Sequence, residues 1–419
     1  METAPPFVLR NVTLPSSRVA DITMEKGKVV HVGSSAASLP GTECSGCIVL
    51  PAAVDMHVHM RGGAQAHKED WLSGSRSAIA GGVTVVVDQP NTVPPIASPG
   101  VFHLRVQDAK DHSWCHFAVN SAVSAEIPFD AMWEAGAMAF GETFYAPSSY
   151  GEAIGDEALS LSLSRIQALG GIATIHAEQI SPGPDTGMES HDARRSVAGE
   201  VRAVEAVRRL NSERCRLHFC HLSSAESIGA ASGSVEVTPH HLFLSRENFP
   251  ETDAHGKVNP PVRSEKVRRA LAACWDRIDV IASDHAPHTG AEKDREFSDA
   301  PPGVPGIETM VPLLLARVIE GKVSLASVIE KTSLSPSAIL GIPRAGFSPG
   351  DRADFAIYPK KSCRICADML HSRCGWTPFE GFDAVFPETV VMYGEVVYRG
   401  GEFFRGSPSW FPGRGFVRR

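Results

Sequence analysis

The densest chemical signal in the chain is PAAVDMHVHMR, residues 51 to 61. Alternate residues of a strand share a face, so His57 and His59 point the same way with Val58 opposite. Two imidazoles side by side at a strand end can chelate one divalent metal. Taken alone, the pair reads equally well as two half-buried histidines satisfied by hydrogen bonds. It does not stand alone. His176 closes GIATIHAE, His221 closes LHFCHLSS and Asp284 lies in DVIASDHAPH, each at the end of an apolar run. A buried aspartate needs a partner, and a metal is one.

Such residues must be brought to one place by the elements that carry them. The apolar runs VTVVVD, GIATIHA, LHFCHLS and DVIASDH alternate with helix-like stretches such as EVRAVEAVRRL and EKVRRALAACW. That alternation is the pattern of parallel βαβ units and predicts an α/β fold, a (β/α)8 TIM barrel. A barrel gathers the C-terminal ends of its strands on one rim, where its chemistry sits. The first fifty residues have a different texture, with short strands in FVLRNVTL and VADITMEKGKVVHVG and a turn at Lys26-Gly27. DRADFAIYP and TVVMYGEVVYRGGEFF resume it near the other end. The two ends are therefore expected to form one small β domain, from residues 1–50 and 346–419, beside a barrel over 51–345.

The bulk composition excludes some functions. The formal charge of −8 over 419 residues leaves no basic stripe to follow phosphates, which argues against nucleic-acid binding. No apolar run is long enough to cross a bilayer, and METAPPFVLRNVTL does not read as a secretory leader. Nine cysteines without such a leader suit reduced thiols, so a cytoplasmic protein is expected. Cys44-x-x-Cys47 and Cys363-x-x-Cys366 make a four-thiolate zinc site conceivable, but free thiols packing as small hydrophobes is the preferred reading.

In combination, the DxHxH run, the later single histidines and SDHAPH resemble the amidohydrolase superfamily. Within it, RGG after HVHM, DQPNTVPP, HLSSAES, KVNPPVR, PPGVPGIET and CGWTPFEG resemble dihydroorotases, over roughly Leu50 to Gly381. Several of these motifs recur in allantoinases and hydantoinases. The resemblance implies His57, His59, His176, His221 and Asp284 as ligands of one or two zinc ions. It implies Arg61, Asn91, Asn259 and His288 as substrate contacts, and Asp284 as the catalytic proton acceptor and donor. The implied reaction is reversible hydrolysis of dihydroorotate to N-carbamoyl-L-aspartate by a metal-bound hydroxide, a step of pyrimidine biosynthesis. Arg61 also makes independent sense, because a guanidinium offers paired donors to a carboxylate and dihydroorotate carries one. Asn91 and Asn259 compete with plain turn chemistry, and His288 with a solvated loop residue. The rival readings are another cyclic amidase, or a silent scaffold that binds a partner enzyme. The only partner implied is the small-molecule substrate, with homo-oligomerisation open.

One family feature is missing. Many members carry a carboxylated lysine on the fourth strand, but GAMAFGETFYAP has Gly141 at that position and Glu142 after it. No lysine occurs between Lys110 and Lys257. Glu142 is the candidate substitute, provided a bulge at Gly141 turns it to the inner face. A single-metal site and a carboxylate from elsewhere are the alternatives. His240 and His241 are read as supporting residues, and the segment Thr289 to Val304 as a substrate loop or a plain surface excursion.

Overall fold

The computed structural model describes residues 6–147 and 153–418. The chain opens with β1 (Phe7–Thr13), β2 (Val19–Glu25), β3 (Lys28–Gly33) and β4 (Gly41–Glu43), in the order β3-β2-β1-β4. Lys26 (φ 52°) and Gly27 (φ 75°) are both left-handed, the turn geometry that matches the twist of a two-residue hairpin. β5 (Ile48–Pro51) then leads directly into the central part of the chain.

Eight strands follow: β6 (Ala53–Val58), β7 (Val83–Asp88), β8 (His116–Val119), β9 (Phe140–Phe144), β10 (Ile172–His176), β11 (Arg216–Phe219), β12 (Ser234–Val237) and β13 (Val280–Ile281). They form two parallel sheets, β6-β7-β8 and β9-β10-β11-β12-β13. Isolated parallel bridges join Ser121 to Phe140 and Val58 to His285. All six residues of β7 are buried, which explains why apolar residues sit at neighbouring rather than only alternate positions: a parallel sheet is covered on both faces. Helices such as Trp71–Ala80, Pro99–His112, Val197–Leu210 and Met310–Ile319 follow strands and cover them. Asp70, Ser98 and Ser196 cap the first three by accepting from backbone N–H groups that lack a helical partner.

The chain returns through β14 (Phe355–Tyr358), β15 (Cys363–Arg364), β16 (Asp383–Ala384), β17 (Thr389–Met392), β18 (Glu395–Arg399) and β19 (Glu402–Phe403). Tyr393-Gly394 and Gly400-Gly401 turn the last two hairpins with positive φ at both positions of each. β14 lies between β17 and β5, paired antiparallel to both. One apolar cluster draws Leu9, Ile22 and Val49 from the start of the chain and Phe355, Ile357 and Val391 from its end. Neither end could bury those side chains by itself. Among the described residues, no helix is long and apolar enough to cross a membrane.

Phe355 is fully buried in that shared cluster. Phe355→Ala should therefore lower unfolding free energy by about 3–5 kcal/mol, read from chemical denaturation.

Candidate metal centre

β6 ends at Val58, yet both flanking histidines turn into one cluster, with ring centroids 5.5 Å apart. Nε2 of His57 lies 3.5 Å from Asp284 Oδ1 and 3.6 Å from Glu142 Oε2. Nε2 of His59 lies 3.1 Å from the same Asp284 oxygen. On the other side, Glu142 Oε1 is 2.9 Å from His176 Nδ1 and 2.9 Å from His221 Nε2. The six residues anticipated as ligands thus meet in one buried cluster.

His59 lies just past the end of β6, and two more of the six do not sit on strands. β11 ends at Phe219 and β13 at Ile281, so His221 and Asp284 lie beyond them. Both adopt left-handed backbone, with φ 37° and 45°. Non-glycine residues in that region cost on the order of 1–3 kcal/mol and persist where surrounding contacts over-determine them. Here those contacts are the cluster itself.

Glu142 reaches the cluster through an irregularity in β9. Phe140 pairs with Ala173 and Thr143 with Ile175, so β9 spends three steps against two of β10. That extra residue is a bulge, and it reverses the facing that plain alternation would give Glu142. Gly141 has φ 123°, and a Cβ there would stand 2.2 Å from the Thr174 carbonyl oxygen. Only glycine fits. Burial pushes the Glu142 carboxyl up, but hydrogen bonds from His176 and His221 and the charge of the nearby His57 outweigh it and hold it well below the usual range.

The outward ring nitrogens have partners that were not anticipated. His57 Nδ1–H donates to Glu236 at 2.9 Å, and His176 Nε2–H to Glu178 at 2.7 Å. Glu236 also accepts from His218 and from the His221 backbone N–H, while Glu178 pairs with Arg195. A signal for both was available: Glu236 is a lone acid within the apolar VEV, and Glu178 follows His176 at alternate spacing. Asn91, expected at the substrate, accepts from His59 Nδ1–H at 2.8 Å, so its oxygen serves a histidine.

A cleft of about 590 Å³ opens above the cluster, with Arg61, Asn91, Asn259 and His288 among its lining residues. Asn259 Oδ1 is buried there without a hydrogen-bond partner. His288 is buried rather than solvated, and Trp376 Nε1–H holds its carbonyl at 2.7 Å. The segment after it contains a short helix, Gly290–Lys293, and brings Pro301, Pro302 and Gly303 to the cleft wall. Lys293 Nζ pins it by donating to the carbonyls of Lys257, Pro301 and Gly303 at 3.1, 2.9 and 3.0 Å. His241 bonds Thr238 and the Pro260 carbonyl, away from the cluster. His240 is buried, which pushes its pKa down to about 4. Among the described residues, the two Cys-x-x-Cys pairs do not form a metal-ligand group.

The donor set fits a divalent cation. His57, Glu142 and His221, and separately His57, His59 and Asp284, offer ligand atoms within 4.8 Å of one another. His57 Nε2 and His221 Nδ1 are buried without hydrogen-bond partners. Burial disfavours the charged form of His57, yet Glu236 and Asp284 raise its pKa well above the ordinary value. A site that so favours a proton's charge also favours a metal's.

No family model matches the chain. In fold it is similar to the L-hydantoinase (dihydropyrimidinase) of Arthrobacter aurescens, with a TM-score of 0.89 at 24% identity over 97% of this chain and 99% of that one. The chain thus shares the fold of that hydantoinase. In sequence it is 39% identical to a dihydroorotase of Methanosarcina acetivorans over 94% of this chain and 93% of that protein. It is 38% identical to one of Methanosarcina mazei, over 91% of each. The chain belongs to the dihydroorotase family of metal-dependent cyclic amidohydrolases.

Partners of metal-bound histidines typically hold 10–100-fold of metal affinity. Glu236→Gln, which keeps the size of the side chain but weakens its grip on His57 and His218, should lose metal by about that factor in a chelator competition.

Proposed function

We propose that this protein interconverts (S)-dihydroorotate and N-carbamoyl-L-aspartate, the ring-closing step of de novo pyrimidine biosynthesis. The observation that carries the reading is Arg61, buried on the wall of the cleft that also contains His59, Glu142, His176 and Asp284. A carboxylate is the substrate feature that a guanidinium there would recognise. Asn91 and Asn259 offer amide groups, and His288 a ring nitrogen, to the rest of the substrate.

His57, His59 and Asp284 would hold one zinc ion and His176 and His221 a second, with Glu142 between them in place of a carboxylated lysine. When bound, such ions acidify water and polarise a carbonyl oxygen. Asp284 takes the proton from the attacking water and returns it to the departing ring nitrogen, the same group serving ring closure in reverse. It begins as the anion: burial pushes its carboxyl up, but His57 and His59 hold it well below the usual carboxylate range. We read the eight parallel strands as a (β/α)8 barrel closed through the Ser121–Phe140 and Val58–His285 bridges. The barrel would span residues 51–345, with 1–50 and 346–419 forming the small β domain. A cytoplasmic location and possible homo-oligomers complete the reading.

Purified protein should turn over dihydroorotate faster than hydantoin or allantoin, and the opposite order would assign it to another cyclic amidase. Arg61→Met should weaken dihydroorotate binding by about 2–3 kcal/mol and affect a cyclic amide without the carboxylate far less. Equal losses would make Arg61 a structural residue. Two cations about 3.5–4 Å apart need bridging anions, so Glu142→Ala should release at least one metal per chain by elemental measurement. Activity of the unaltered protein should not depend on bicarbonate. Full metal content in the variant would refute the bridge.

A further inference from the structure

We propose that Lys68 is a positioning residue that fixes His288 as a neutral imidazole with its hydrogen on Nε2, directed at the Pro302 carbonyl, and so holds this wall of the cleft in place for substrate. The inference rests on the reading of His288 as a substrate contact. Its argument lies in the two ring nitrogens. His288 Nε2 is 3.1 Å from the Pro302 carbonyl oxygen, which can only accept, so Nε2 carries the hydrogen. Nδ1 is 3.1 Å from Lys68 Nζ, which can only donate, so Nδ1 is bare.

Lys68 is the deciding neighbour. Arg61 Nη2 stands 3.4 Å from Nε2, and would favour the opposite tautomer by donating to it. Glu292 Oε2 stands 3.9 Å from Nδ1, and would favour a proton there. Lys68 counters both, because a hydrogen on Nδ1 would point into its ammonium group. It also occupies Glu292, whose Oε1 lies 2.9 Å from Nζ. Lys68 comes from the turn after β6, whereas His288 and Glu292 follow β13. The contact therefore ties two separate walls of the cleft to one ring. The charged groups facing His288 are Arg61 and Lys68 on one side and Glu292 and Lys293 on the other. Burial, then Arg61, Lys68 and Lys293, push its pKa far below the ordinary histidine value. It is neutral throughout the physiological range.

Without Lys68, Glu292 would be free to draw a hydrogen onto Nδ1. The ring would then turn Nε2 into an acceptor and lose its bond to the Pro302 carbonyl. The test uses full-length, zinc-loaded protein labelled with ¹⁵N-histidine, with His288→Gln serving only to identify the His288 signals. In the unaltered protein those signals should report a bare Nδ1 and no titration between about pH 6 and 8. In Lys68→Met they should report a hydrogen on Nδ1. Lys68→Met should raise the KM for dihydroorotate about 10-fold at pH 8 with little change in kcat, as expected for one lost hydrogen bond. Lys68→Arg, which keeps a cation able only to donate, should restore the original signals and KM.

A protonated Nδ1 or a titrating ring in the unaltered protein would overturn the proposal whatever the activity. So would a Lys68→Met ring state identical to the original, or an unchanged KM. Absence of dihydroorotate turnover in the unaltered protein would instead count against the substrate assignment, and the ring signals would still decide the role of Lys68.

Discussion

The arrangement depends on one electrostatic constraint: two carboxylates and four imidazoles must share a dry space at the strand ends without any of them flipping away. Glu142 is the centre of that constraint, since its two oxygens face His57, His176 and His221. Asp284 closes the other side against His57 and His59. An isolated buried carboxylate would neutralise itself rather than stay charged. Here each is held as an anion because several histidines point at it.

Three of the four histidines point inward with their other nitrogens occupied. Glu236 takes His57, Asn91 takes His59 and Glu178 takes His176. Each outer partner fixes a tautomer and a ring plane, which keeps the inner nitrogen aimed at a cation. Asn91 lies beyond β7, the neighbour of β6, Glu178 lies two residues past His176, and Glu236 reaches His57 from β12, which is not paired with β6, so the meeting of the strand ends decides which acid can reach which imidazole. Glu236 is an example: β12 adjoins both β11 and β13, and its single acid reaches His57, His218 and the backbone of His221.

Much of this was legible in the residues. The apolar runs became buried parallel strands, and the paired textures at the two ends became neighbouring strands, β5 beside β14. Lys26-Gly27 is the turn its composition suggested. His57, His59, His176, His221 and Asp284 could be picked out because each interrupts or ends an apolar run. Glu236 and Glu178 could not be weighed in the same way, because an acid's function as a partner depends on which strand lies beside it. Asn91 carried a substrate contact by resemblance alone, and its bond to His59 depends on loop geometry that no spacing encodes. Lys68 gave no local signal either: its importance comes from His288, which lies 220 positions away.

In the proposed reading, the departure at Gly141-Glu142 lets the fold absorb a change of ligand chemistry. A glutamate side chain is several bonds shorter than a carboxylated lysine, so it serves the same position only if its backbone lies closer to the cluster. It also sits one residue later, which in a regular strand would face it away. The bulge addresses both problems at once. It adds the residue that restores the facing, and it presses the chain against β10 so tightly that Gly141 could carry no Cβ. In the proposed reading, a reversible carbamate is thereby replaced by a permanent anion, and assembly of the site no longer waits on carbon dioxide. The glycine and the glutamate are then one adaptation, since neither residue would be of use at this position without the other.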